Sequence, residues 1–224
     1  MEGKVRLTLC AAVVIAGSGF CLGQASGSIG ITVLDENQAR VSGAWVTAHH
    51  AGEFEDTWPG SCTTGDDGTC TMRIQGPGRF ALEAAKVVDK YPPKIPFYFG
   101  KNFKEDVVEL RAADSTASAV LHIGPKAGAI KGNVFDAVTG KAMVGSAEFH
   151  WVSDQAIWIQ TGISEIGRPV LVPANVPVTL VVLREGYENW KYSWPDGALK
   201  AIVLQPGEEE TLNIRLQPKL PSPP

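Results

Sequence analysis

Ile29-Gly30-Ile31-Thr32-Val33-Leu34-Asp35 and, further along, Ile130-Lys131-Gly132-Asn133-Val134-Phe135-Asp136 decide how this chain is read. In the first stretch Ile29, Ile31 and Val33 fall on one side of an extended strand, with Gly30 and Thr32 on the other. Such half-apolar alternation needs a second sheet to cover it, which is the physics of a sandwich. Both stretches end in an aspartate before a turn, and both are followed by a second alternating strand. That strand is Val41-Ser42-Gly43-Ala44-Trp45-Val46 in one copy and Val144-Gly145-Ser146-Ala147-Glu148-Phe149 in the other.

More landmarks follow in the same order, as an internal duplication requires. Thr64-Gly65 with Gly68 is answered by Thr161-Gly162 with Gly167, and Phe80-Ala81-Leu82 by Val178-Thr179-Leu180. Val108-Glu109-Leu110 is answered by Val203-Leu204, and His122-Ile123-Gly124-Pro125 by Arg215-Leu216-Gln217-Pro218. Turn chemistry punctuates these strands at Asp35-Glu36-Asn37, Gly65-Asp66-Asp67-Gly68, Gly76-Pro77-Gly78, Thr139-Gly140 and Pro206-Gly207. No long 3.6-residue apolar pattern occurs, and Ala81 to Val88 reads as a strand. The expectation is therefore an all-β chain of two tandem sandwiches, residues 26–125 and 126–218, followed by a disordered Pro-rich tail at 219–224.

Residues 1–25 have the pattern of a secretory signal. Lys4 and Arg6 precede the apolar run Leu7 to Leu22, and Gly23-Gln24-Ala25 offers small residues to a signal peptidase. A retained anchor would need roughly 20 predominantly apolar residues, and here Gly17, Ser18 and Gly19 dilute the run. Neither Cys10 nor Cys21 sits in a lipoprotein cleavage pattern. The chain is expected to be secreted or periplasmic, with no membrane span once the signal is removed. Losing Glu2, Lys4 and Arg6 moves the formal net charge from −4 to −5. A mildly acidic chain without a basic stripe is not a nucleic-acid binder.

Each copy resembles a carboxypeptidase regulatory-like domain, a transthyretin-like member of the immunoglobulin-like sandwiches. The motifs that carry the resemblance are Val134-Phe135-Asp136, Thr139-Gly140-Lys141, Gly43-Ala44-Trp45-Val46, Thr64-Gly65-Asp66-Asp67-Gly68 and Pro77-Gly78-Arg79-Phe80-Ala81-Leu82. Pro173-Ala174-Asn175 departs from the Pro-Gly of the pattern, and Ser146 replaces the Gly of G-A-x-V. These are turn and core signals, so they speak to an immunoglobulin-like Greek-key fold far more than to a function. The carboxypeptidase chemistry of that family belongs to a separate zinc domain. Its transthyretin-like hydrolases end in Tyr-Arg-Gly-Ser, where this chain ends in Pro-Ser-Pro-Pro. Collagen-adhesin relatives lock themselves with a Lys–Asn amide bond. Lys131, Asn213 and Glu148 are the residues to compare, but the alternation points Lys131 and Glu148 outward.

Few residues suggest chemistry. Cys62 and Cys70 flank a Gly-Asp-Asp-Gly turn and are expected to form a structural disulfide across a hairpin, which stabilises by about 2.5 kcal/mol through loop closure. Asp66 and Asp67 lack the further oxygen ligands of a calcium loop and read as a tight turn. His49, His50, His122 and His150 have no zinc-ligand spacing, and no nucleophile motif is present. No cofactor, metal or catalytic residue is expected, and a hydrolase with an unrecognised site is a remote alternative. Trp190, Tyr192 and Trp194 alternate with Lys191 and Ser193, so a strand would project all three from one face. Tyr91-Pro92-Pro93 and Phe97-Tyr98-Phe99-Gly100 stand at the matching place in the first copy. Trp190, Tyr192, Trp194 and Tyr98 are thus candidate ligand-binding rings, for a glycan or for a cell-envelope protein. The competing reading places the same rings in a core or in the seam between domains. The function class that follows is an exported, non-catalytic binding or scaffolding protein, with a purely structural or adhesive spacer as the alternative.

Overall fold

The computed structural model describes residues 26–52, 58–101, 103–112, 115–164 and 168–220. Residues 1–25, expected to be a secretory signal, and residues 221–224 of the expected disordered tail lie outside them.

Among the described residues, fourteen strands build four sheets. The first seven are β1 (Ser26–Leu34), β2 (Trp45–His50), β3 (Gly60–Thr63), β4 (Thr69–Gln75), β5 (Gly78–Ala85), β6 (Asp106–Leu110) and β7 (Thr116–His122). They form one sheet in the order β4-β1-β7 and a second in the order β3-β2-β5-β6. The other seven are β8 (Gly128–Asp136), β9 (Gly145–Trp151), β10 (Trp158–Ile163), β11 (Val170–Val172), β12 (Val178–Leu183), β13 (Trp190–Lys191) and β14 (Glu209–Leu216). Their sheets are β11-β8-β14 and β10-β9-β12-β13, the same order strand for strand. In each copy the first strand pairs antiparallel with the fourth and parallel with the last. The chain is therefore two immunoglobulin-like sandwiches of identical layout.

The alternation seen in the sequence is the burial seen in space. Ile29, Ile31 and Val33 are sealed inside, as are Ala44, Val46 and Ala48 from the facing sheet. They meet Met72, Ile74, Phe80, Leu82 and Leu121 in a first core. A second, separate core gathers Ile130, Val134, Ala147, Phe149, Leu180, Val182 and Ile214.

The turns do what their residue types require. Asp35 accepts the Asn37 and Ala39 amides at 2.8 Å, and Asp136 accepts those of Val138 and Thr139 at 2.8 and 2.7 Å. Buried Thr64 donates to the Val41 carbonyl at 2.6 Å and accepts the Ala44 amide at 2.8 Å, tying its turn to the entry of β2. Gly68 has φ +70°, and a Cβ there would lie 2.7 Å from Arg40 Cβ, so only glycine fits. Asp67 accepts from the Thr69 amide and hydroxyl at 3.0 and 2.7 Å, the bonding of a tight turn.

Two expectations change. Cys62 and Cys70 are bonded, with Cα atoms 6.2 Å apart, but they do not face each other within one hairpin. Cys62 lies on β3, opposite Val46, and Cys70 on β4, opposite Ile31. The bridge therefore joins the two sheets of the first sandwich. At the other end of the chain, Pro218 bridges to Tyr187 and the Lys219 amide donates to the Gly186 carbonyl at 2.8 Å. The tail is thus held at least through Lys219.

The connection from β5 to β6 holds the two sandwiches together. It includes a short helix, α1 (Pro96–Phe99), started by proline at a position where the missing N–H costs nothing. Phe97 is 2% exposed, and the residues around it belong to the second sandwich's core. Trp151 Nε1 donates to the Phe97 carbonyl at 2.8 Å, and Gly100, at φ +77°, leaves room for the Trp151 ring. Lys101 pairs with Asp154 at 2.6 Å. Nearby, Lys90 Nζ donates to the Gly207 carbonyl at 2.8 Å, and the Ala127 amide donates to the Lys90 carbonyl at 2.8 Å.

Truncating a buried phenylalanine costs about 3–5 kcal/mol. Phe97→Ala should remove that amount from the second sandwich, although the residue belongs to a first-sandwich loop. Calorimetry should then show one unfolding transition split into two, with the second sandwich melting first. A single transition at the wild-type temperature would show that Phe97 is not buried there. Reducing Cys62–Cys70 should lower the stability of the first sandwich by about 2.5 kcal/mol and leave the second unchanged, measurable by denaturant titration of each.

Candidate functional site

The aromatic stripe divides into buried and exposed parts. Trp190 lies on β13, opposite Val182, and the Tyr192 amide continues the ladder to the Leu180 carbonyl. Both rings are half-buried against the second core, 6.2 Å apart and tilted by 40°. They pack against that core beside the β13 edge of the sheet. Beyond them the chain leaves the sheet. Ser193 bridges to Leu199, the Trp194 amide donates to the Ala198 carbonyl, and Asp196 Oδ1 caps the turn. The chain rejoins β12 at Ile202, which pairs with Val178. Trp194 therefore sits on a projecting hairpin and is 53% exposed. Lys200 Nζ lies 5.0 Å from the Tyr192 ring centre and 4.8 Å from that of Trp194, over both faces. A cation thus covers one face of each of these rings.

Tyr98 does not join this group. It packs in the seam against Ala127, Ala129 and Leu171, and its hydroxyl donates to the Leu171 carbonyl at 3.3 Å. Burial pushes its phenol up to about 12. The seam adjoins β11, whereas Trp190 lies on the β13 edge of the other sheet.

The histidines and the amide-bond candidates stay apart. His150 Nε2 is 3.9 Å from Glu148, and its ring stacks on Trp158 at 5.8 Å. His122 faces Gln38 at 3.3 Å. Lys131 pairs with Thr211, and Asn213 Oδ1 accepts from Asn133 at 3.0 Å. Lys131 and Asn213 are thus not opposite one another, and Glu148 belongs to the other sheet.

The first sandwich carries a cleft of about 180 Å³ that no sequence motif announces. Its floor is the outer face of β2 and β5, where Thr47 pairs with Glu83 and His49 with Ala81. The β5–β6 connection crosses this face and contributes Lys94, Ile95, Pro96, Phe103 and Glu105, while Trp58 stands at the mouth. Trp58 is 51% exposed and Trp45 46%, with ring centres 4.8 Å apart. His49 Nε2 lies 4.0 Å from Glu105, and Lys94 is engaged by Asp106 at 2.8 Å. Among the described residues, Glu83 Oε1 is buried without a hydrogen-bond partner. Desolvation raises the Glu83 carboxyl above the usual range, against the pull of the Lys94 amide and the charges of His49 and Lys94. Outward alternation of Thr47, His49, Ala81 and Glu83 was legible in the strands. The strap above them was not.

A second polar feature recurs in both copies. Tyr187, after β12, donates to Asp136 Oδ2 at 2.7 Å. Tyr91, after β5, reaches Glu36 beside Asp35, and burial together with these carboxylates lifts its phenol to about 12. Each tyrosine ties the strand-five exit to the turn after strand one. The Thr139 amide and the Tyr187 hydroxyl hold the Asp136 carboxyl down at about 2. A depressed carboxylate contributes stability above its unfolded pKa, lost as pH falls through the folded one. The second sandwich should therefore keep the Asp136 contribution above pH 4 and lose it between pH 4 and 2. Carboxyl NMR should find the Asp136 midpoint near 2, and higher in Tyr187→Phe. An ordinary midpoint in the wild type would disprove the bond.

No family model matches the chain, and no curated protein matches it. Among solved structures, the Bacillus anthracis TIE protein is 15% identical with a TM-score of 0.34. The match covers 87% of this chain and 34% of that one, so the chain spans about a third of its length. The shaft pilin SpaA from Lactobacillus rhamnosus GG is 10% identical over 88% of this chain and 100% of its own, with a TM-score of 0.35. A Streptococcal ancillary pilin is 10% identical over 88% of this chain and 63% of its own, with a TM-score of 0.32. Among the described residues no helix is long and apolar enough to cross a membrane. The assignment of two immunoglobulin-like sandwiches rests on the four sheets themselves.

Proposed function

We propose that this chain is an exported, non-catalytic scaffolding module of the cell envelope, secreted or periplasmic, made of two carboxypeptidase regulatory-like sandwiches acting as one rigid body. The observation that carries this reading is Phe97, a first-sandwich side chain buried in the second core. A hinge between independent domains would not bury a phenylalanine across it, whereas a spacer that presents surfaces at a set distance requires such a lock. The disulfide suits an oxidising compartment. Trp190 and Tyr192 pack against the core, so of that aromatic stripe only Trp194, at the hairpin tip, is offered to a partner. The tip's mixture of an exposed indole and Lys200 suits a protein partner better than a stacked glycan.

Co-sedimentation of the mature protein with isolated cell-envelope material tests this. Trp194→Ala should lower the bound fraction at least fivefold without changing the melting temperature. Protease treatment of the envelope should abolish binding, and glycan digestion should spare it. Turnover of ester, amide or glycoside substrates by the purified protein would overturn the reading, and so would binding indifferent to Trp194→Ala.

A further inference from the structure

We propose that the cleft over β2 and β5 is a binding site for one uncharged pyranose ring, stacked on Trp58 and hydrogen-bonded through Glu83 Oε1. The site goes beyond the scaffolding role and does not depend on it. Its size sets the first constraint. A cavity of about 150 Å³ holds benzene, so about 180 Å³ is the scale of one six-membered ring, whose substituents would reach toward the open mouth. The walls set the second. Ala81, Ile95, Pro96 and Phe103 make the interior mostly apolar, and the half-exposed Trp58 offers a flat face at the entrance. A pyranose has apolar C–H faces for such a surface and hydroxyls around its rim.

The polar groups set the third constraint. A buried carboxyl oxygen without a partner is costly, because its lost hydration is not replaced. Glu83 Oε1 is such an oxygen, on a side chain that lines the cleft, and a ligand hydroxyl can satisfy it. Glu105 and His49 stand 4.0 Å apart on the same wall, an acceptor and a ring nitrogen suited to neighbouring hydroxyls. Charge argues against an ammonium ligand. Lys94 lines the cleft, and burial disfavours the ionised form of Glu83 that would attract a cation. An anion would meet the two glutamates. A neutral polyol faces neither penalty, and both its donors and its acceptors find partners.

The test is an NMR titration of the full mature protein, observing the indole N–H signals. The probes are the methyl glycosides of glucose, galactose, mannose and N-acetylglucosamine, with choline and acetate as charged probes. At least one glycoside should shift the Trp58 signal saturably in the millimolar range, about −4 kcal/mol. Trp58→Ala should weaken that binding tenfold or more, as should Glu83→Gln, and Trp194→Ala should leave it unchanged. Trp58 is exposed, so its replacement keeps the fold. Absence of saturation with every glycoside would overturn the proposal. So would equal affinity in Trp58→Ala, or a response to choline or acetate in place of the sugars. None of these outcomes bears on envelope binding through Trp194, so the two readings fail separately.

Discussion

The burial of Phe97 in a core to which its own strands contribute nothing is the constraint on which the rest of this structure depends. For Phe97 to reach the second sandwich, the β5–β6 connection must run across the outer face of β2 and β5 and over the sandwich edge. That path explains Pro96 at the first helical position, Gly100 against Trp151, and the Trp151 indole bonded to the Phe97 carbonyl. It also explains why Thr47 and Ala81, on an outward face, are almost fully buried. One aromatic anchor thus couples the domains and roofs the cleft. Burial of a phenylalanine side chain is worth about 1.5–3 kcal/mol, against surface ion pairs worth about 0–1. Lys101–Asp154 and Lys90–Glu209 therefore orient the seam more than they hold it.

Much of the fold was legible because strand pattern and turn chemistry are local. Ile29, Ile31 and Val33 announce their face, and Asp35 and Asp136 announce their turns. The match of His122 with Arg215 holds in space, since each sits beside the residue preceding the turn aspartate. Other matches slipped. Val46 faces Ala84, but Phe149, matched to Val46, faces Leu180, which was matched to Leu82. The two alignments are out of step by two residues. A two-residue shift returns every side chain to the same face, so hydrophobic pattern alone does not detect it. The closing segment slipped for another reason. Leu110 pairs with the first residue of β5, and Ile202 pairs with the first residue of β12. The hairpin of residues 193–199 interrupts the strand that should have carried the match.

The candidate site was less legible, because it depends on which segment covers which face. Trp190, Tyr192 and Trp194 alternate as expected, but alternation does not say where the sheet ends. It ends before Trp194, and that single boundary separates two core-packed rings from an exposed one. Tyr98 looked like a counterpart of the stripe because both follow the fifth strand of their copy. The segments serve different purposes, however, one spanning a seam and the other edging a sheet. The true counterparts are Tyr91 and Tyr187, each bonded beside the aspartate turn. Unequal spacing from the preceding strand hid that pair.

The two copies also secure their sheets differently, and the difference locates function. The first sandwich has an inter-sheet disulfide on β3 and β4. The second has no cysteine and packs Trp190 and Tyr192 against its core. A duplicated fold needs the same core twice, so whatever one copy carries alone is free of that requirement. The strap with Phe97 and the cleft belong only to the first copy, and the Trp194 hairpin only to the second. The strap runs between the fifth and sixth strands of its copy and the hairpin follows the sixth strand of the other, so both additions leave the buried first, second and fifth strands undisturbed.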